Sequence, residues 1–232
     1  MTTFGLVHGA WHRASSWRPL VDALEANGHR SVAVDLPCDD PAATFETYAE
    51  VVVRSLEGQE GDLVLVGHSL AGHTIPLVAA RVPVRHLIFL CALIAEPGRS
   101  FVDQLTAEPD MLLPQYEAGL SEPDDRRLRH WADRRLAIEV LYGDCDPADA
   151  ERAVDDLRPQ ALGPYTVPCP LDALPPAERT YVLCTEDRLV NPEWSRRAAS
   201  VRLGVQAVEL PGSHSPFISR PDDLARLLEK FA

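Results

Sequence analysis

A serine, an imidazole and a carboxylate together can cleave an ester by acyl transfer, and this sequence carries all three where a folded chain could unite them. Ser69 stands in Gly67-His68-Ser69-Leu70-Ala71-Gly72. The apolar run Val64-Leu65-Val66 precedes it, and a helical stripe, Ile75, Val78, Ala79 and Val82, follows. This is the pattern of a buried strand turning sharply into a helix, with the hydroxyl projecting from the turn and small neighbours allowing the bend. Ala71 occupies the place of the second glycine in G-x-S-x-G, and Gly72 comes directly after it. Taken alone, the stretch also suits a serine that only caps a helix.

A serine hydroxyl is a weak nucleophile at neutral pH unless an imidazole takes its proton. His214, in Gly212-Ser213-His214-Ser215-Pro216, is the candidate base, and Asp187, after Val182-Leu183-Cys184-Thr185-Glu186, is the candidate carboxylate. We expect Ser69 as nucleophile, His214 as general base and then acid, and Asp187 as the group that orients the imidazole. His214 alone would suit an exposed loop, and Glu186 and Glu96 remain rival carboxylates. The oxyanion needs two backbone N–H donors. Leu70, directly after the nucleophile, supplies one, and the loop His8-Gly9-Ala10 supplies the other, taken as Ala10.

Elements able to hold these groups alternate along the chain. Strands are expected over residues 3–7, 31–35, 62–66, 86–92, 180–184 and 205–210. Helices fall between them: Trp17, Leu20, Val21 and Leu24 form one stripe closed by Gly28, and Phe45, Tyr48, Val52 and Leu56 form another. Pro76 should irregularise the helix after Ser69. Asn191 and Pro192 open a later helix, and Pro221 with Asp222 and Asp223 opens the last. Such alternation predicts an α/β fold, a mostly parallel six-stranded sheet with helices on both faces. Ligands then bind beyond the carboxyl ends of the strands, where Ser69, Asp187 and His214 all fall. Between residues 97 and 179 the rhythm breaks, and eleven of the twenty prolines lie there. We expect one domain over 1–232, with its core at 1–96 and 180–232 and an inserted helical cap at 97–179.

The remaining features narrow the partners. A formal charge of −13 disfavours nucleic acid and anionic membranes. The longest apolar run, Leu87 to Ala95, is far too short to span a bilayer. Five cysteines without a C-x-x-C pair argue against a zinc site or disulfide framework and for a reducing, cytoplasmic setting. The first loop lacks G-x-G-x-x-G, so no dinucleotide cofactor is expected. His12, His73, His86 and His130 show no metal-type spacing and are assigned to packing or surface, so no metal is expected. Arg126, Arg127, Arg129, Arg134 and Arg135 read as a solvated helix face offset by Asp124, Asp125 and Asp133, with an anion site as the sharper alternative.

Four stretches together resemble the α/β-hydrolase group: Val7-His8-Gly9-Ala10-Trp11-His12, Gly67 to Gly72, Val182 to Asp187, and Gly212-Ser213-His214. More narrowly they resemble the plant methylesterase and hydroxynitrile lyase branch and its bacterial esterase relatives. Leu141-Tyr142-Gly143-Asp144-Cys145-Asp146-Pro147-Ala148-Asp149 and Leu157-Arg158-Pro159 extend the likeness into the cap. The resemblance implies the α/β-hydrolase fold, the triad Ser69, Asp187 and His214, oxyanion donors at Ala10 and Leu70, an apolar pocket under a cap, no cofactor, and often a homodimer. Lyases of the branch carry threonine and lysine where this chain has Gly9 and Ser215, which favours ester hydrolysis. The expected activity is a serine carboxylesterase acting on small methyl or short-alkyl esters, some aromatic. A hydroxynitrile lyase, a binding protein that retains the triad, and a thioesterase or amidase are the alternatives.

Overall fold

A computed structural model describes residues 2–59 and 61–232. Six strands form one sheet: β1 (Thr2–Val7), β2 (Arg30–Val34), β3 (Asp62–His68), β4 (His86–Leu90), β7 (Glu178–Cys184) and β8 (Val208–Leu210). Their spatial order is β2-β1-β3-β4-β7-β8, and every pairing is parallel. The remaining strands, β5 (Leu128–Arg129) and β6 (Gln160–Ala161), make a separate antiparallel ribbon.

Alternation along each strand fills two cores. Phe4, Leu6, Val64, Val66, Ile88, Leu90 and Val182 face one side, against Trp17 of the 3-10 turn Ala14–Trp17, Leu20 and Leu24 of the helix Arg18–Ala26, and Leu224 and Leu228 of the helix Pro221–Leu228. Val7, Leu65, Leu87, Phe89, Tyr181 and Leu183 face the other, against Tyr48, Val52, Ile75, Val78 and Trp194. A parallel sheet covered on both faces needs this near-continuous apolar composition. Each fully buried large side chain contributes about 1.5–3 kcal/mol, which is what fixes the helices to the sheet.

Several boundaries differ from the sequence reading. The last strand starts at Val208, not Val205, because the π-helical turn Ala199–Leu203 ends at left-handed Gly204 and the Val205 N–H bonds back to the Ala199 carbonyl at 3.2 Å, which keeps it out of the sheet. After Ser69 the chain first makes a 3-10 turn, Ser69–His73, and only then the short α-helix Ile75–Ala79 with Pro76 in its first turn. Pro76 has no N–H to extend a regular helix backwards, so the irregularity falls where expected.

Between β4 and β7 lie helices Phe101–Ala107, Gln115–Gly119, Arg134–Leu141 and Pro147–Asp155, with the β5–β6 ribbon among them. The arginine cluster does not form one helix face. Arg129 lies on β5 and pairs with Glu117, while Arg134 starts a helix and pairs with Glu151 and Asp155. Asp124 and Asp133 accept backbone N–H groups instead, at a turn and as a helix N-cap. Among the described residues no helix is long and apolar enough to cross a membrane. All five cysteines are free thiols.

Candidate active site

Strand register puts the singled-out residues at one edge of the sheet. Val7 pairs with Gly67, so the loop leaving β1 and the turn leaving β3 emerge side by side. Cys184 pairs with Leu210, and two further bonds continue the pairing beyond the strands, Thr185 N–H to Leu210 O and Glu186 N–H to Gly212 O. Asp187 and His214 are thereby carried out on adjoining loops.

Ser69 sits at φ 52°, a left-handed conformation rare for a residue with a side chain and costing about 1–2 kcal/mol. Its carbonyl accepts the Leu93 N–H at 2.9 Å, which anchors the turn to the chain beyond β4. The two segments press so close that a β-carbon on Gly72 would lie 2.1 Å from the Leu93 carbonyl oxygen. That contact explains why the second glycine is needed at 72, whereas position 71 tolerates alanine.

His214 and Asp187 meet directly: Nδ1 of the imidazole donates to Oδ2 of the carboxylate at 2.8 Å, with both side chains buried. The other carboxylate oxygen accepts the N–H groups of Leu189 and Val190, at 2.8 and 3.0 Å. The rivals are engaged elsewhere: Glu96 pairs with Arg99 and Arg202, and Glu186 is exposed. His68 joins the His214 loop to the serine turn. Its Nε2–H donates to the His214 backbone carbonyl at 2.9 Å, and the two rings stand 4.6 Å apart. Burial pushes the His68 pKa well below 6.5, with His214 and His12 adding to the effect, so the ring is neutral.

The loop after β1 lies against the serine. A β-carbon on Gly9 would come 2.7 Å from the Ser69 β-carbon and 3.1 Å from His68 Nδ1, so glycine is required there by close approach. Leu36 N–H donates to His8 Nε2 at 3.0 Å, which leaves the His8 proton on Nδ1, donating to the Gly9 carbonyl at 2.8 Å. In a trans peptide the C=O and the next N–H point in opposite directions. Holding the Gly9 carbonyl therefore also aims the Ala10 N–H, away from His8. Burial lowers the His8 pKa to about 4, partly offset by its bond to the Gly9 carbonyl. Leu70 is in the first turn of the 3-10 segment, where N–H groups have no partner within the helix.

Above Ala10, the Trp11 ring packs against Tyr116 and Trp131, with centroids 5.9 and 5.6 Å away. His12, expected at a packing or surface position, is buried, and its Nδ1–H donates to the Ala10 carbonyl at 2.8 Å. The signal available was its position two residues beyond Ala10. Among the described residues, one group has metal-ligand chemistry: Cys91, Asp187 and His214 bring ligand atoms within 4.8 Å of one another. Asp187 and His214 already share a proton-bearing hydrogen bond, and burial raises the Cys91 pKa well above 9.0, so the thiol is protonated. A cation there would have to displace both protons.

A doubly wound parallel sheet with a strained serine turn and a buried His–carboxylate pair at its carboxyl edge defines an α/β-hydrolase. Residues 6–227 match the model of the alpha/beta hydrolase family, and the chain belongs to that family. It is 31% identical to a pyrethroid hydrolase of Sphingobium wenxiniae over 250 residues, covering 100% of this chain and 88% of that protein. It is 27% identical to putative methylesterase 14, chloroplastic, of Arabidopsis thaliana, covering 99% of this chain and 71% of the relative. The crystal structure of polyneuridine aldehyde esterase superposes with a TM-score of 0.86 at 20% identity, covering 99% of this chain and 98% of the other, a likeness of fold.

Proposed function

We propose that this chain hydrolyses small carboxylic esters through an acyl-enzyme formed on Ser69. The observation that carries the reading is the 2.8 Å His214–Asp187 bond, tied through His68 to a serine held at φ 52°. Ser69 Oγ attacks the ester carbonyl while His214 Nε2 takes its proton. Asp187 keeps the Nδ1–H tautomer and stabilises the imidazolium that forms. The Ala10 and Leu70 N–H groups receive the oxyanion. His214 then protonates the departing alcohol, and water, deprotonated by the same imidazole, releases the acid.

The chain is a carboxylesterase-type hydrolase, in keeping with relatives named as hydrolases and esterases. Its substrates on this reading are methyl or short-alkyl esters of hydrophobic or aromatic acids, in keeping with the hollow beside Gly9 and Leu70 being lined by Leu36, Cys38, Tyr48 and Ala71. The segment 97–179 acts as the lid. Lyase chemistry is disfavoured because Gly9 offers no hydroxyl, and Ser215 no ammonium, to hold a cyanide leaving group. The enzyme is further expected to be cytoplasmic, to need no cofactor and to pair as a homodimer, which light scattering tests.

The deciding experiment is a panel of methyl, ethyl and butyl esters of aliphatic and aromatic acids, with the acid product quantified for wild type and Ser69→Ala. Turnover of the panel, lost in the variant, supports the reading. Cyanide release from mandelonitrile without ester hydrolysis would overturn it.

A further inference from the structure

The loop that carries Ala10 is held from the lid. Trp11 adopts φ 63°, a conformation that bulky residues avoid, so the loop is biased to relax. Relaxation is opposed at four successive carbonyls. Gly9 O accepts from His8 Nδ1 at 2.8 Å and Ala10 O from His12 Nδ1 at 2.8 Å. Trp11 O accepts from the Arg158 N–H at 2.9 Å, and His12 O from Arg158 Nε at 3.1 Å. Arg158 lies just before β6, between β4 and β7.

The bond from His12 also depends on that segment. A carbonyl can only accept, so His12 must carry its proton on Nδ1, and Nε2 must then accept from the hydroxyl of Tyr142, 3.0 Å away. Tyr142 follows directly on the helix Arg134–Leu141, and its side chain is buried. Burial takes the His12 pKa down to about 3, partly offset by the Ala10 carbonyl, so the ring stays neutral and both nitrogens keep these roles. His12 also packs edge-on against His68 and Phe217, with centroids 5.5 and 5.9 Å away, which leaves the ring little freedom to turn.

We propose that Tyr142 and His12 form a positioning pair for ester hydrolysis: the lid hydroxyl fixes the tautomer of His12, and His12 fixes the Ala10–Trp11 peptide. The donor N–H of Ala10 is aimed through the Gly9 carbonyl by His8, and the peptide that follows it is fixed by His12, so the backbone carrying the donor keeps its place only while the lid is seated. This inference rests on the reading of Ala10 as an oxyanion donor. His8 holds the peptide on one side of Ala10 and His12 the peptide on the other, so together they set both of its backbone torsions. Neither His12 nor Tyr142 need touch a reacting atom. Loss of the Tyr142 hydroxyl leaves His12 Nε2 without a donor, and the proton is free to move there. Nδ1 would then present a lone pair to the Ala10 carbonyl, and the peptide would rotate away.

The test compares Tyr142→Phe, His12→Leu and His12→Asn with wild type. Asparagine places its amide N–H near the position of Nδ1, whereas leucine fills the space without a donor. Steady-state kinetics on p-nitrophenyl butyrate are paired with inhibition by an aryl trifluoromethyl ketone, whose adduct carries an oxyanion, and by the unfluorinated ketone. Tyr142→Phe is expected to lower kcat about tenfold, less than the ~10²–10³ of a lost donor, with KM nearly unchanged. His12→Leu should lose more, and His12→Asn should recover at least about tenfold of that loss. Affinity for the trifluoromethyl ketone should fall in step with kcat/KM, while the plain ketone binds as before. A packing role alone predicts the opposite order, leucine at least as active as asparagine, and that result, or an unchanged kcat in Tyr142→Phe, overturns the proposal. Should Tyr142→Phe fail to fold, the two His12 variants still decide. A wild type that neither turns over the ester nor binds the fluorinated ketone would reject the oxyanion-site reading itself, and the proposal with it.

Discussion

Replacing Asp187 by asparagine turns one acceptor oxygen into a donor, and neither orientation of the amide suits its surroundings. Oδ1 accepts two backbone N–H groups, from Leu189 at 2.8 Å and Val190 at 3.0 Å, and Oδ2 accepts from His214 Nδ1 at 2.8 Å. If the asparagine oxygen faces His214, its NH₂ meets both backbone donors and leaves two buried N–H groups unpaired, at about 1–3 kcal/mol each. The other orientation keeps those bonds and is favoured by roughly 2–6 kcal/mol on that count. It then points NH₂ at the imidazole. Two donors cannot face each other, so His214 gives up its Nδ1 proton and carries it on Nε2, the atom that must receive the proton of Ser69. With the wrong tautomer dominant, kcat should fall by about 10⁴ while KM changes little. The assay is steady-state hydrolysis of p-nitrophenyl acetate, with thermal melting to confirm folding and Ser69→Ala as the background. A folded Asp187→Asn that keeps kcat within about tenfold of wild type would refute the tautomer argument.

Gly9→Ala puts a β-carbon 2.7 Å from that of Ser69, so one of the two segments must shift; kcat should drop by at least about tenfold, and unchanged kinetics would contradict the packing described. Stability should depend steeply on mild acid. His8 titrates at about 4 in the fold and His12 and His73 at about 3, against 6.5 for an unburied histidine. As pH falls through 6.5 the unfolded chain takes up protons that the folded chain refuses, so stability is lost from there down towards those values and is level above. His68 is held well below 6.5 in the same way, and four such groups amount to about 5 kcal/mol per pH unit, read as the shift in urea midpoint between about pH 7 and 5. His73 stacks on Phe45, and its Nε2 has no partner, so His73→Leu should remove about one quarter of that slope; a slope identical to wild type would show that this ring is not the neutral group described.

Much of this arrangement is legible in the amino-acid sequence. The buried strands announced themselves because both faces of a parallel sheet need apolar residues, as in Val64-Leu65-Val66 and Leu87-Ile88-Phe89. The last helix was readable from Leu224, Leu227 and Leu228 on one side. What escaped were features set by tertiary geometry. A two-residue ribbon such as β5 with β6 is too short for periodicity to reveal. The late start of β8 depends on a π-helical turn that no composition signals. The role of His12 follows from Trp11 being held at φ 63°, with Tyr142 arriving from 130 residues away. Asp187 was separable from Glu186 and Glu96 only once the partners of each carboxylate were visible.

The claim on which the rest depends is that the Ser69 hydroxyl is the nucleophile. Its most direct measurement is intact-mass and peptide mapping after treatment with a fluorophosphonate. A single adduct on Ser69, absent from Ser69→Ala and strongly slowed in His214→Ala, is the predicted outcome. An unlabelled wild-type protein, or an adduct on any other residue, would contradict it.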